Sequence, residues 1–452
     1  MSISIIPIGG YSRIEGNSVA IKVDNEIVIL DMGLSMENYV KFQDRETKKN
    51  NGRQRRFYYD ELLRANAVPD YYSIKNLIKS VKAVIPSHAH LDHVGAVPFA
   101  MKFFHNIPVI STPYTYEFIK RDIEDKKYDK NFARQGIELV KVELNSSYKI
   151  SEKISVEFIH ITHSVPDSAM LAIHTPYGVV LYAVDYKLDD YPQIGDPPNY
   201  KRLKQLGKQG VKCLILESLY ADFNIETLSE EHVKNELEVL LKNLEHKGKT
   251  IFTSTFSSHV VRLKTLVEAG KMLNRKICLI GSSLVQHTEI SKKLSKLNLS
   301  KKIKIISKKE DIEELLNTVS EERGEYFLIC TGHQGEKGSV LSKIANGNFG
   351  YKPQIEDIVI FSSSVIPTET NQKSFKLLED KLKKLKLNII KDVHVSGHAG
   401  LKDHEKLIKM INPEIIIPAH AGHDKAKYIK QLSERTKIGK TILVSNNQKI
   451  KL

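Results

Sequence analysis

Cysteine is scarce, with three residues in 452, and Cys213, Cys278 and Cys330 each lie in or beside an apolar run that reads as a buried strand. A disulfide framework is not expected from so few. Long hydrophobic runs are missing as well: no window reaches the ~18 apolar residues that a membrane span needs. The longest uncharged stretch, 168–184, is broken by His174, Pro176 and Gly178. The opening MSISIIPIGG has neither the basic nor the long apolar segment of a secretory signal. Acidic residues fall short of basic ones, 54 against 68, for a net charge of +14. That balance serves solubility and favours a polyanionic partner over an acidic protein surface. The chain is 41% hydrophobic and 27% charged, which excludes disordered and fibrous classes and allows about two to three domains with cores. A soluble, reduced, cytoplasmic protein with no membrane partner is expected.

No internal repeat, low-complexity tract or extended linker appears. From residue 3 to about 195 the apolar runs are short, β-branched and closely spaced: ISIIPI, SVAIKV, EIVIL, VKAVIP, PVIS, ISVEFIHI, MLAIHT and VVLYAV. Such runs read as strands. Between about 200 and 365 the runs CLILES, TIFTSTF, KICLIG and YFLICTG alternate with lysine- and leucine-rich stretches of helical period. This rhythm predicts βαβ units on a parallel sheet. Beyond it DVHVSG, EIIIPAH and TILVSN read as further strands. The basic segment 41–57, KFQDRETKKNNGRQRRF, reads either as a solvated loop or as a finger that tracks phosphates.

The string HAHLDH, residues 88–93, follows the apolar run 81–85 and a Pro86-Ser87 break. In an extended segment alternate side chains share a side, so His88 and His90 can hold one metal together. A turn into a helix at Gly95 would aim Asp92 and His93 at a second metal. A two-metal site needs further ligands from distant strand ends. His163 follows ISVEFIHI, and Asp185 closes VVLYAV, where one carboxylate could bridge both ions. Asp31 ends EIVIL and reads as a carboxylate that orients a ligand histidine. His160 and His174 lie inside strand runs and read as plain sheet residues. Ser257, Ser258 and His259 follow TIFTSTF and read as a ligand-facing loop or as a helix start capped by a serine.

HAHLDH with Asp31, His163 and Asp185 in this order resembles the metallo-β-lactamase superfamily of metal-dependent hydrolases, which implies an αββα sandwich. ILES ending at Glu217 and Ser218, VSGH ending at His398 and IIPAH ending at His420 resemble the three additional motifs of β-CASP nucleases. A histidine at the third motif, where DNA-repair relatives usually carry valine, implies RNA as substrate. CTGHQGEKGSVLSKIANG, FSSSVIPTET and HVSGHAG resemble the ribonuclease J group over nearly the whole chain, in its short archaeal form. Two departures stand out: Val365-Ile366-Pro367-Thr368-Glu369 replaces the family's PIPGNE, and His420-Ala421-Gly422 replaces its HGE. The fold class so implied is α/β: a metallo-β-lactamase αββα sandwich from residue 1 to about 205 and from about 370 to 452, with a parallel-sheet β-CASP domain, 206–369, inserted.

The resemblance further implies that His88, His90 and His163 hold one zinc and that Asp92, His93 and His420 hold another. Asp185 would bridge the two Zn2+ ions, and manganese is the alternative metal. His423 and Asp424 stand close enough in sequence to compete with His420. Asp92 and Asp185 thus belong to the catalytic set, together with His398 as general acid toward the departing 3′-oxygen and Glu217 as its hydrogen-bonding support. The segment His394, Ser396, Gly397, His398, Ala399 and Gly400 has the small residues that let backbone N–H groups hold a phosphate. With Ser362 it would form a pocket for the 5′-monophosphate of single-stranded RNA, which implies 5′ to 3′ exonucleolytic trimming. A β-CASP endoribonuclease of the cleavage-factor type, a small-molecule hydrolase and a catalytically silent RNA-binding subunit are the rival readings. A homodimer is left open.

Overall fold

A computed structural model describes residues 2–50, 55–124, 137–366 and 368–452. Strands β1 (Ile3–Gly9), β2 (Ser18–Val23), β3 (Glu26–Leu30), β4 (Val81–Ile85), β5 (Val109–Ser111) and β6 (Leu139–Lys141) lie side by side in that order. They pair antiparallel up to β3 and parallel beyond it. A second sheet takes β7 (Ser146–Lys149), β8 (Ser155–His160), β9 (Ala169–Thr175), β10 (Gly178–Ala183) and β11 (Val211–Glu217). A third, wholly parallel sheet holds β12 (Ile251–Ser254), β13 (Lys276–Ile280), β14 (Lys304–Ile306), β15 (Tyr326–Cys330), β16 (Ile358–Phe361) and β17 (Asn388–Ile390), in the order β14-β13-β15-β12-β16-β17. The chain then returns: β18 (Ile415–Ala419) pairs with β11, β19 (Lys440–Thr441) with β18, and β20 (Ile450–Lys451) with β1.

Alternation along the strands explains the layers. Ile3 and Ile5, Val19 and Ile21, Val28 and Leu30 pack against Val156, Phe158, Leu171, Ile173, Val180 and Tyr182 of the second sheet. The intervening Ile6, Ile8, Ala20, Ile27 and Ile29 face helices on the outside. On the far side, Ile159, Met170, Leu181 and Leu214 pack on helices Tyr200–Gln209, Leu401–Ile411 and His423–Thr436. Helices, two sheets and helices make four layers, the αββα sandwich. Because both faces of each sheet are buried, the strands read as continuous apolar runs. The third sheet is likewise covered on both faces. It is held against the sandwich where Ile290 and Leu297 join the cluster of Phe118 and Ile119, and where the Tyr114 hydroxyl meets His287 Nδ1 at 3.0 Å.

Several expectations are corrected. CLILES forms β11, which belongs to the second sheet, not to the inserted domain; its parallel pairing with β10 and β18 is a long-range choice that an apolar run does not declare. At the other boundary, the helix Glu369–Lys384 packs on the third sheet through Leu378 and Leu382, and β17 pairs within that sheet, whose strands therefore run from Ile251 to Ile390. DVHVSG is not a strand. The basic segment is mostly neither loop nor finger: Met36–Lys49 is a helix that buries Phe42 and Glu46. Arg55 is paired with Glu46 and Glu61 at 2.7 and 2.9 Å. Residues 51–54 of that segment, and Pro367, lie outside the described residues. The three cysteines are buried and free, in β11, β13 and β15. Among the described residues no helix is long and apolar enough to cross a membrane.

Candidate metal centre

The carboxyl ends of β3, β4, β8, β10, β11 and β18 deliver one cluster. Asp31, Asp185 and His420 each follow a strand with φ of 58°, 52° and 58°. A left-handed turn of this kind is costly for non-glycine residues and is retained where the surroundings over-determine it. The segment after β4 stays irregular through His90, and the helix starts at Leu91, not at Gly95, so Asp92 and His93 stand on its first turn.

Two groups of four converge, with donor atoms within 4.8 Å of one another: His88, His90, His163 and Asp185; and Asp92, His93, His420 and Asp185. His90 Nδ1 lies 3.0 Å from His88 Nε2 and 3.1 Å from His163 Nε2. Asp185 Oδ2 is 3.4 Å from His88 Nε2, 3.6 Å from His163 Nε2 and 3.3 Å from His93 Nε2. Its other oxygen, Oδ1, is 3.1 Å from His420 Nε2 and has no hydrogen-bond partner. His93 Nε2 is 3.4 Å from Asp92 Oδ2.

The outward nitrogens decide what faces inward. His163 Nδ1 donates to the Gly397 carbonyl at 2.7 Å, and His93 Nδ1 donates to Asp31 Oδ2 at 2.6 Å. In the neutral rings this leaves a bare Nε2 lone pair on each, aimed at Asp185. Burial pushes His88 down to about 4 and His163 well below the ordinary imidazole value, so both stay neutral. His93 goes the other way: burial opposes its charge, but Asp185, Asp92 and Asp31 together push it well up. Lone pairs and carboxylates buried face to face call for a cation between them. The donor set fits divalent metal, since ligands about 2.0–2.1 Å from a tetrahedral ion sit roughly 3.3 Å apart.

Asp31 reaches His93 and other donors besides. Its oxygens accept from Ser87 N at 2.7 Å, Tyr182 Oη at 2.8 Å and His93 Nδ1. His398 lies beside the cluster, its ring centroid 5.1 Å from that of His163 and 5.6 Å from that of His420. Its Nδ1 donates to Glu217 Oε2 at 2.8 Å, and Glu217 Oε1 accepts Tyr186 N at 3.0 Å. Burial alone would lower the His398 pKa, but Glu217 and then Asp185 push it up to about 9. Cations bound next door would pull it back.

Not every expected residue arrives as expected. Ser362 is fully buried, and its hydroxyl donates to the Val393 carbonyl at 2.8 Å, so it braces the 393–400 segment and does not face a phosphate. His423 is outside both ligand groups and donates to the Val444 carbonyl at 3.0 Å; Asp424 is outside them as well. His160 and His174 bond Asp196 O and Glu157 and stay away from the cluster. The cap of helix Val260–Met272 is His259 itself, not a serine. Sequence reasoning missed Asn17, which is buried against His93 Nε2, His420 Nδ1 and Asp92 at 2.8–3.4 Å. It also missed Tyr182. A lone buried polar residue at a strand's start has no periodic signal that would flag it.

Residues 12–194 match the Metallo-beta-lactamase superfamily, 247–381 the Ribonuclease J, beta-CASP domain, and 384–445 the Zn-dependent metallo-hydrolase RNA specificity domain. The Ribonuclease J of Pyrococcus abyssi is 37% identical, over 98% of this chain and 96% of its own length. That of Methanocaldococcus jannaschii is 36% identical over 96% and 95%, and the Ribonuclease J 1 of Streptococcus pyogenes 30% over 94% and 70%. A crystal structure of a protein of unknown function from Enterococcus faecalis V583 shares the fold, with a TM-score of 0.67 at 16% identity over 100% of both chains.

Proposed function

The chain belongs to the ribonuclease J family and is a metal-dependent ribonuclease, and from that premise we propose that it binds two zinc ions and trims single-stranded RNA from a 5′-monophosphate end in the cytoplasm. The single observation that carries this reading is the pair of four-residue groups that share Asp185, with the hydrogen-bonded His398 and Glu217 at their edge. His88 Nε2, His90 Nδ1 and His163 Nε2 would hold one ion, and Asp92, His93 Nε2 and His420 Nε2 the other, with Asp185 shared by both sets. When bound, the ions supply Lewis acidity, acidifying the attacking water and offsetting charge that builds on the scissile phosphate.

The chain's own groups do the rest. Asp31 and the Gly397 carbonyl fix the tautomers of His93 and His163, and Ser87 meets the outward nitrogen of His88 at 3.0 Å. Glu217 holds the proton on His398 Nδ1, which leaves Nε2 as the atom that delivers a proton to the departing 3′-oxygen. The product then carries a 5′-phosphate. The segment from His394 to Gly400, with Ser396, Gly397 and Ala399, would receive the RNA 5′ end. Gly397 lets this segment pack closely on His163: a Cβ there would lie 3.2 Å from His163 Cε1.

Metal analysis coupled with a 5′-labelled RNA time course tests the reading. Two equivalents of zinc and labelled mononucleotide at the earliest times are expected. Labelled oligomers appearing first would replace it with the internal cutting of a cleavage-factor-type endoribonuclease.

A further inference from the structure

Arg262 ranks among the largest side chains that are fully buried. Its Nε and Nη2 donate to Glu230 Oε2 and Oε1 at 3.0 Å each. Its Nη1 donates to the carbonyl and hydroxyl oxygens of Ser362 at 2.9 and 3.0 Å, to the Val393 carbonyl at 3.3 Å and to His394 Nδ1 at 3.2 Å. Nη2 also reaches the Val395 carbonyl at 3.4 Å. Glu230 lies 3.4 Å from Lys187 Nζ, which donates to the Ser396 carbonyl, also at 3.4 Å. Burial would raise the Glu230 carboxyl, but Arg262, His259 and Lys187 hold it well below the usual carboxylate range, so the pair is fully charged. A buried ion pair is tolerable only with complete geometry. Here each side of the guanidinium meets an acceptor, and one arginine joins helix Val260–Met272, the end of β16 and the backbone at 393–395 to the start of helix Glu230–Asn243.

A guanidinium has donors only. His394 Nδ1 therefore accepts, and the ring is neutral with its proton on Nε2. Among the described residues nothing accepts from that Nε2–H, nor from the backbone N–H groups of Ser396 and Gly397. The N–H groups of His398, Ala399 and Gly400 are already taken, by Ser396 Oγ, Glu217 Oε1 and Asp403 Oδ2.

We infer that Arg262, locked by Glu230, is a positioning residue for the RNA 5′ end: it sets the His394 tautomer and the backbone at 393–396 so that three free N–H donors serve a terminal phosphate monoester. This rests on the proposed 5′-monophosphate pocket and assigns its donors. A phosphate monoester accepts charge-assisted hydrogen bonds from such donors, while a 5′-hydroxyl gains little from them.

The test compares kcat/KM for 5′-monophosphate and 5′-hydroxyl RNAs of one sequence, using the metal-loaded enzyme. Wild type is expected to prefer the monophosphate, and Arg262→Lys, which keeps the charge but loses the fork, is expected to lower that preference about tenfold. Glu230→Gln should lower it in the same direction. If wild type discriminates and both variants lose rate equally on the two RNAs, the inference is overturned while the pocket stands. Should wild type be indifferent, the pocket itself is wrong and Arg262 loses this role with it. A measurement that needs no variant to fold is 15N NMR of histidine-labelled wild type, with the His394 signals assigned through His394→Gln. Nε2 protonated and Nδ1 bare from pH 5 to 8 is expected; the opposite tautomer would sink the claim.

Discussion

Asp185 holds the two ligand groups together because its carboxylate, 2% exposed, sets Oδ2 within 3.3–3.6 Å of His88, His163 and His93 and Oδ1 3.1 Å from His420. Asp92 and His398 each share a group with it and differ in what they touch. Asp92 belongs to one of the groups of four, whereas His398 meets Asp185 only in a group of three with Glu217, which binds its Nδ1. Asp92→Ala should therefore lose both turnover and one equivalent of bound metal. His398→Ala should lose turnover by about 10²–10⁴-fold, the usual worth of a general acid, and keep its metal. Activity assays read beside metal content separate the two, and equal metal loss would remove His398 from the acid's role.

At the scale of elements, the site depends on strands that end in register and on helices that keep them there. Glu157 on β8 ties the outer helix Tyr200–Gln209 to the second sheet. Its oxygens accept from Arg202 Nε at 2.6 Å and Nη2 at 2.9 Å, and from His174 Nε2 on β9 at 2.9 Å. Burial would raise its carboxyl, but these partners overcome that and hold it at about 2. A depressed carboxyl contributes stability that is complete above its unfolded value, near 4.5, and is lost as pH falls through about 2. Glu157→Gln should cost about 1 kcal/mol at neutral pH, after allowance for solvent screening. In urea titrations the gap to wild type should narrow as pH drops from 5 toward 3. A gap that widens there would contradict this account.

Across the whole molecule, the surplus of 14 positive charges has a polyanion to meet. Affinity for single-stranded RNA should fall with salt, with log K dropping by roughly 0.7 per log unit of salt for each phosphate contacted. Filter binding from 50 to 300 mM salt measures the slope, and a flat line would remove the charge surplus from RNA recognition. Most of the strands, the His88–His93 string and the positions of Asp31 and Asp185 at strand ends were legible from the chain alone, because β-branched runs and ligand spacing are local signals and strand ends are where side chains leave a sheet. The family motifs pointed to Glu217, His398 and His420. Which sheet β11 joins, the helical state of 36–49, the burial of Ser362, and the parts played by Asn17, Glu230 and Arg262 were decided only by the folded chain. Sheet partnership and the burial of a polar group depend on residues far apart in sequence, as with Arg262 and His394 or Asn17 and His420. The packing of the sandwich's two sheets brings Asn17 to His420, and the packing of helix Val260–Met272 and the 393–395 segment on the third sheet brings Arg262 to His394.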